Sequence, residues 1–282
     1  MHSMNSRVGS IAARDGVLLR TRRWAPEGGA WARLLLVHGI AEHSGRYERT
    51  GALLSAGGVD VWAFDLRGFG GSAGRRAFVR RWDDYLDDVG DRLVDLRDAL
   101  PVVLMGHSMG GLIALTYATS ERTAPDLLVL SSPALSTTVP APVRAIAPLL
   151  SRVLPTLEIG NALRGEQLTT DPDVGRAYFL DPLVVPRSTV RLGAELFAAA
   201  RRGRRDLSRL RMPTLVTHGA ADTIVPPTST ELLGALPNVQ RRVYDGLRHE
   251  TLNEPQGPQV VADILAWMRE QAADIRPHHE RE

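Results

Sequence analysis

Apolar positions along this chain recur in two periods. Short apolar runs cover 33–37, 59–64, 101–105, 127–130, 214–217 and 240–244, and most stop at a cluster of Gly, His or Asp. Runs of this kind suit strands buried on both faces. Residues 7–24 read as an antiparallel pair turning at Asp15-Gly16, so eight strands are expected. Between the runs the period changes. Trp82, Tyr85, Leu86, Val89, Leu93 and Leu96 share one helical stripe, as do Val260, Val261, Ile264, Leu265 and Met268. This alternation predicts an α/β fold with a mostly parallel sheet flanked by helices.

One interval breaks the rhythm. From Pro133 to Met212 there are 80 residues between two strands. An ordinary crossover needs loops of about 2–6 residues and a helix of about 11–12. The surplus carries its own helical pattern at Val143, Ile146, Leu149, Leu150, Val153 and Leu154. The expected organisation is a core over 1–132, a helical cap or lid over 133–212 that sits above the strand ends, and the rest of the core over 213–282.

Composition narrows the chemistry. The 282 residues are 44% hydrophobic and 23% charged, which fits a soluble globular chain with a large core. Cysteine is absent, so disulfides, thiolate metal sites and a Cys nucleophile are excluded. All 34 basic residues are arginine, which excludes a catalytic lysine, Schiff-base chemistry and a Walker-type phosphate loop. A formal charge of +2 calls for no nucleic-acid partner. No run of about 18 apolar residues exists to span a membrane. The start, MHSMNSRVGSIAARDG, has no apolar signal core, which predicts a cytoplasmic protein. The tail IRPHHERE reads as frayed, with His278 and His279 solvated like His2.

Gly106-His107-Ser108-Met109-Gly110 carries the strongest chemical signal. It matches G-x-S-x-G between a strand-like run and the helix-like 111–115, where a nucleophile elbow belongs. The serine must stand on a sharp strand-to-helix turn, and the residues two away must be small. A serine hydroxyl also needs a base to take its proton. In this arrangement the acid and the histidine follow in that order. Asp222 comes after the strand 214–217, and His249 after 240–244, each beyond a strand's carboxyl end like Ser108. Asp245, four residues before His249, is the rival acid. His107 is expected to face away from the serine, and His218 to be a structural hydrogen-bond partner. The oxyanion hole takes one N–H from Met109, after the nucleophile, and one from the loop after the first parallel strand. There Ile40 follows the permissive Gly39.

Together, GHSMGG, HGIAEHSGRY, DLRGFGGSAG and GLRHETLNEP resemble the monoacylglycerol lipase and lysophospholipase group of α/β-hydrolases, from about Ile11 to Met268. Phe69 stands where the group usually has a histidine. The resemblance implies an α/β-hydrolase fold and a serine carboxylic-ester hydrolase, with nucleophile Ser108, acid Asp222, base His249 and oxyanion donors Ile40 and Met109. It implies no cofactor and no metal. The expected substrate is a single-chain lipid ester such as a monoacylglycerol. A lysophospholipase or general carboxylesterase would use the same machinery. An aminopeptidase and a non-catalytic binding module are more distant alternatives. Glu42, Arg46 and Tyr47 are expected either to hold the alcohol portion of the ester or to form a structural ion pair. The cap of such enzymes lines an acyl channel, and 142–155 would either touch a membrane surface transiently or pack on its own core. Arg201-Arg202-Gly203-Arg204-Arg205 would either meet anionic headgroups or form a solvated hinge.

Overall fold

The computed structural model describes residues 6–161 and 163–275. The terminal His2, His278 and His279 therefore lie outside the described residues.

In chain order the first half runs β1 (Arg7–Ala12), β2 (Leu18–Trp24), β3 (Ala32–Val37), α1 (Glu48–Ala56), β4 (Val59–Phe64), α2 (Trp82–Leu96), β5 (Val102–His107), α3 (Met109–Ala118) and β6 (Leu127–Ser131). An insertion follows, with α4 (Ala141–Val153), β7 (Glu158–Gly160), α5 (Gly165–Leu168), α6 (Pro172–Leu180), β8 (Arg187–Thr189) and α7 (Val190–Arg205). The chain returns through β9 (Thr214–Gly219), α8 (Glu231–Gly234), β10 (Val239–Tyr244) and α9 (Gly257–Asp274).

Eight strands form one sheet in the order β1-β2-β4-β3-β5-β6-β9-β10. Only the β1–β2 and β2–β4 pairs are antiparallel. The apolar runs exist because both faces are covered. Leu35, Val37, Leu104, Leu128 and Leu130 enter a cluster with α2, α3 and the inner face of α7. Their neighbours Leu34, Leu36, Val103, Met105, Leu127 and Val129 enter a second cluster with α1 and α9. A strand alternating between two apolar layers has no polar face to show. Since β4, β3, β5, β6, β9 and β10 run parallel, their carboxyl ends share one edge, where ligands bind in open α/β sheets.

The insertion is not wholly helical. β7 and β8 form a short antiparallel pair, with Glu158 opposite Thr189. Its parts also differ in attachment. Leu192, Ala199 and Ala200 of α7 belong to the main core, whereas α4 packs on α7 and turns most of its side chains outward. Among the described residues, no helix is long and apolar enough to cross a membrane.

Candidate active site

Ser108 sits between β5 and α3 with φ 52° and ψ −116°, a left-handed turn that side chains rarely adopt. The flanking glycines make the turn feasible. A Cβ on Gly106 would lie 2.2 Å from the Gly110 carbonyl oxygen, and one on Gly110 would lie 2.2 Å from that of Val37. The serine N–H donates to the Ser131 carbonyl at 2.9 Å, which anchors the turn to β6. The first turn of α3 then aims its positive end at the same edge.

His249 reaches Ser108 Oγ through Nε2 at 2.9 Å and Asp222 Oδ2 through Nδ1 at 2.7 Å. This leaves Nδ1–H as the donor to the carboxylate and Nε2 free to accept the serine proton. All three side chains are buried. Asp222 accepts further bonds from Ile224 and Val225 N–H at 2.9 Å and from His218 at 3.1 Å. Burial opposes its charge, but the bonds from His218 and His249 outweigh that and hold the carboxyl far below the usual carboxylate range. Asp245 is exposed and takes no part in these contacts. The acid and histidine loops can meet because of Gly219, where a Cβ would lie 2.2 Å from the Arg248 carbonyl oxygen.

Ile40 and Met109 flank the serine from β3 and α3, and among the described residues neither N–H has a protein acceptor. The loop carrying Ile40 is held by a buried polar knot. Glu42 Oε1 accepts from Gly39 N–H at 2.6 Å and from the Tyr47 hydroxyl at 2.7 Å. Its other oxygen accepts from Arg46 at 2.7 Å. Arg46 also forks onto Glu250 at 2.5 and 2.7 Å and lies over the Tyr178 ring at 4.6 Å. Burial opposes the Glu42 charge, yet the Arg46 guanidinium, helped by the hydrogen bond from Tyr47, keeps its carboxyl down at about 2. Of the two expectations for Glu42, Arg46 and Tyr47, this geometry matches the ion pair. Their polar groups face one another, and the pair extends to Glu250.

Several residues of the site carry no local sequence signal. The His107 ring lies 4.9 Å from that of His249 and reaches Ser131 Oγ at 3.2 Å. It faces away from the serine as expected, but toward the base. Burial, with His249 nearby, lowers its pKa to about 4, so it stays neutral. Ser132 donates its hydroxyl to the His249 carbonyl at 2.9 Å. Glu254 is fully buried. It accepts Arg248 N–H at 2.7 Å on one oxygen, and Thr169 Oγ1, Thr170 N–H and Thr170 Oγ1 at 2.9, 2.7 and 2.5 Å on the other. Glu250 N–H donates to Leu168 at 2.8 Å. Both neighbours of His249 are thereby tied to the end of α5 and the segment that follows it, residues 168–170. The loop that carries Ile40 is tied to the insertion too, by His43 to Asp181 at 2.8 Å and by Val185 N–H to the Ala41 carbonyl at 2.8 Å.

Serine held to histidine held to carboxylate, beside two backbone N–H groups that have no acceptor among the described residues, is an arrangement that can attack a carbonyl. Among the described residues, no group of three or more His, Asp or Glu side chains is placed to hold a metal.

A family model described as serine aminopeptidase, S33 (Hydrolase_4) matches residues 29–256. The chain is 32% identical over 276 residues to a monoacylglycerol lipase of Mycolicibacterium smegmatis, covering 92% of this chain and 95% of that relative. It is equally identical, over 276 residues, to the human monoglyceride lipase, covering 92% and 89%. Its structure is similar to that of a monoacylglycerol lipase from Paleococcus ferrophilus, with a TM-score of 0.83, 30% identity and coverage of 90% of this chain and 99% of that one. The α/β-hydrolase fold and the resemblance stated above hold on these findings.

Proposed function

The chain belongs to the serine aminopeptidase S33 (Hydrolase_4) family of α/β-hydrolases, and we propose that within it the protein is a monoacylglycerol lipase. The observation that carries this reading is the Ser108–His249–Asp222 chain, at 2.9 and 2.7 Å, at the head of α3. The relatives of that name, matched over nearly their whole length, support the substrate class.

In the proposed cycle His249 Nε2 takes the Ser108 proton as Oγ attacks the ester carbonyl. Asp222 holds the imidazole tautomer and stabilises its charged form. The N–H groups of Ile40 and Met109 receive the oxyanion. The tetrahedral intermediate expels glycerol, protonated by His249. Water, deprotonated by the same imidazole, then attacks the acyl-enzyme, and the second tetrahedral intermediate releases the fatty acid as His249 returns the proton to Ser108 Oγ. Glu42, Arg46 and Tyr47 act on this cycle by holding the Gly39–Ile40 backbone in place.

Residues 133–212 serve as the cap that selects the acyl chain. Ala41, Leu168, Tyr178 and Val184, with Ile224 packed on them, form an apolar wall between the oxyanion loop, the cap and the acid loop. Val143, Ile146, Leu149 and Val153 of α4 are 48–69% exposed, a stripe suited to resting on a lipid surface. The protein would then work peripherally at a membrane. An aminopeptidase needs a carboxylate free to meet a substrate ammonium, but Glu42 and Glu250 are both engaged by Arg46.

A fluorophosphonate probe tests the reading. It should label Ser108, and a long-chain monoacylglycerol should protect against labelling. Labelling elsewhere, or protection by short esters alone, would count against it.

A further inference from the structure

The arginine run at the end of α7 divides into two kinds. Arg202 pairs with Asp83 at 3.6 Å, and Arg205 with Asp206 at 2.9 Å. Arg201 and Arg204 have no acidic partner among the described residues, and neither has Arg144 of α4. These three line one cavity of about 260 Å³ between α4 and α7. No acidic residue lines it. Its remaining wall is largely apolar, with Leu196 and Phe197 prominent, and Ser136 adds a hydroxyl. Arg144 Nε and Ser136 Oγ are cut off from solvent and meet no protein partner. Arg204 donates only to the Leu135 carbonyl.

Three like charges around a partly dry cavity repel one another, and buried donors without acceptors are costly. Burial, followed by the charges of Arg144 and Arg201, lowers the Arg204 pKa from its ordinary value. An anion relieves both penalties, and guanidinium groups are suited to carboxylate or phosphate oxygens. The apolar wall adds a second requirement, because a bare anion would leave Leu196 and Phe197 facing water. The geometry points to a binding site for a single-chain anionic amphiphile, its head among Arg144, Arg201 and Arg204 and its first methylenes against Leu196 and Phe197. The segment that carries Ser136 leaves the nucleophile directly, since Ala134 N–H donates to the Ser108 carbonyl at 3.0 Å. Ser136 therefore lies two residues from a direct contact of the Ser108 backbone. Two sources share this chemistry, a fatty-acid carboxylate and the phosphate of a phospholipid. The first source rests on the ester-hydrolase reading, but the site itself does not.

The test is equilibrium binding to the Ser108→Ala protein of dodecanoate, dodecyl phosphate, dodecanol and inorganic phosphate. At least one amphiphilic anion should bind roughly tenfold more tightly than dodecanol, and the preference should weaken as salt rises. Preference for dodecanoate assigns the site to fatty acid, and preference for dodecyl phosphate assigns it to a lipid headgroup. Arg144→Gln with Arg204→Gln should abolish the preference, and Arg144→Lys alone should retain most of it. In the active enzyme the same substitutions should leave hydrolysis of p-nitrophenyl acetate unchanged. Equal binding of dodecanol, a preference that survives both Gln substitutions, or inorganic phosphate binding as tightly as dodecyl phosphate would overturn the proposal. If monoacylglycerol hydrolysis fails while arginine-dependent anion binding persists, the lipase reading falls and this site stands.

Discussion

Helices α3 and α4 are both apolar, yet they meet opposite surroundings. Every residue of α3 is buried, between the sheet on one side and α2 and α7 on the other. In α4 only Ala147 and Ser151 are buried, and Ile146 and Leu149 are 57% and 67% exposed. Helix propensity does not separate the two. Position does, because α3 leaves the centre of the sheet whereas α4 leans chiefly on α7. Chemistry belongs on the first kind of element, since a nucleophile needs fixed geometry. The lipid contact proposed above would fall on the second.

The largest effects should come from the head of α3. Ser108→Ala should lower turnover roughly 10⁴–10⁶-fold with the fold intact, as judged by circular dichroism. Asp222→Asn should cost about 10⁴-fold, and Asp245→Asn should stay near wild type. A damaging Asp245→Asn beside a tolerated Asp222→Asn would reassign the acid.

Stability should follow the same contrast. Ile113→Ala in α3 should cost about 2–5 kcal/mol in denaturant unfolding. Leu149→Ala in α4 should cost under about 0.5 kcal/mol. Comparable losses would mean that α4 is packed in solution and would break the comparison.

His107 adds a pH dependence. Its pKa is about 4 in the folded protein against an ordinary 6.5. Its contribution is complete above about pH 6.5. As pH falls toward 4, the unfolded chain takes a proton that the folded one refuses, and stability is lost, on the order of 3 kcal/mol. His107→Asn should flatten the melting temperature between pH 6.5 and 4. An unchanged slope would show that His107 does not titrate this way.

Glu254→Gln tests the tie between the insertion and the His249 loop. Replacing one acceptor oxygen by an NH₂ opposes donors on Arg248, Thr169 and Thr170. It should lower kcat roughly tenfold and change KM by less than about twofold. A rise in KM alone would make Glu254 a shaper of the acyl site and not of the base. The smallest effect on chemistry should come from Ile146→Glu with Leu149→Glu. Cosedimentation with phospholipid vesicles should be lost while hydrolysis of a soluble short ester stays within about twofold. Retained vesicle binding would remove α4 from the lipid contact.

The same physical distinction explains what the sequence discloses. Strands covered on both faces leave unbroken apolar runs, so β3, β4, β5, β6 and β9 are legible, whereas the less buried pair β1 and β2 is legible from its turn at Asp15-Gly16. β9 extends past Thr217 through His218 to Gly219, because there a buried polar side chain serves the site. β7 and β8, three residues each and largely exposed, are too short for a period to show. Ser108, Asp222 and His249 are legible because strand ends and glycines mark them. Glu254, Glu250 and Ser132 act across 85, 204 and 117 residues, and no local pattern reports such a contact. The α4 stripe announces a helix with an apolar face, but not whether that face turns to the core or to solvent.

The central claim, a fixed serine centre fed by a lipid-selecting cap, is tested most directly by hydrolysis of a monoacylglycerol chain-length series. A matched lysophosphatidylcholine and a short p-nitrophenyl ester run beside it, with Ser108→Ala as the blank. The account predicts highest kcat/KM on medium or long monoacylglycerols, well above both other substrates and absent in the blank. Preference for the short ester alone would contradict it.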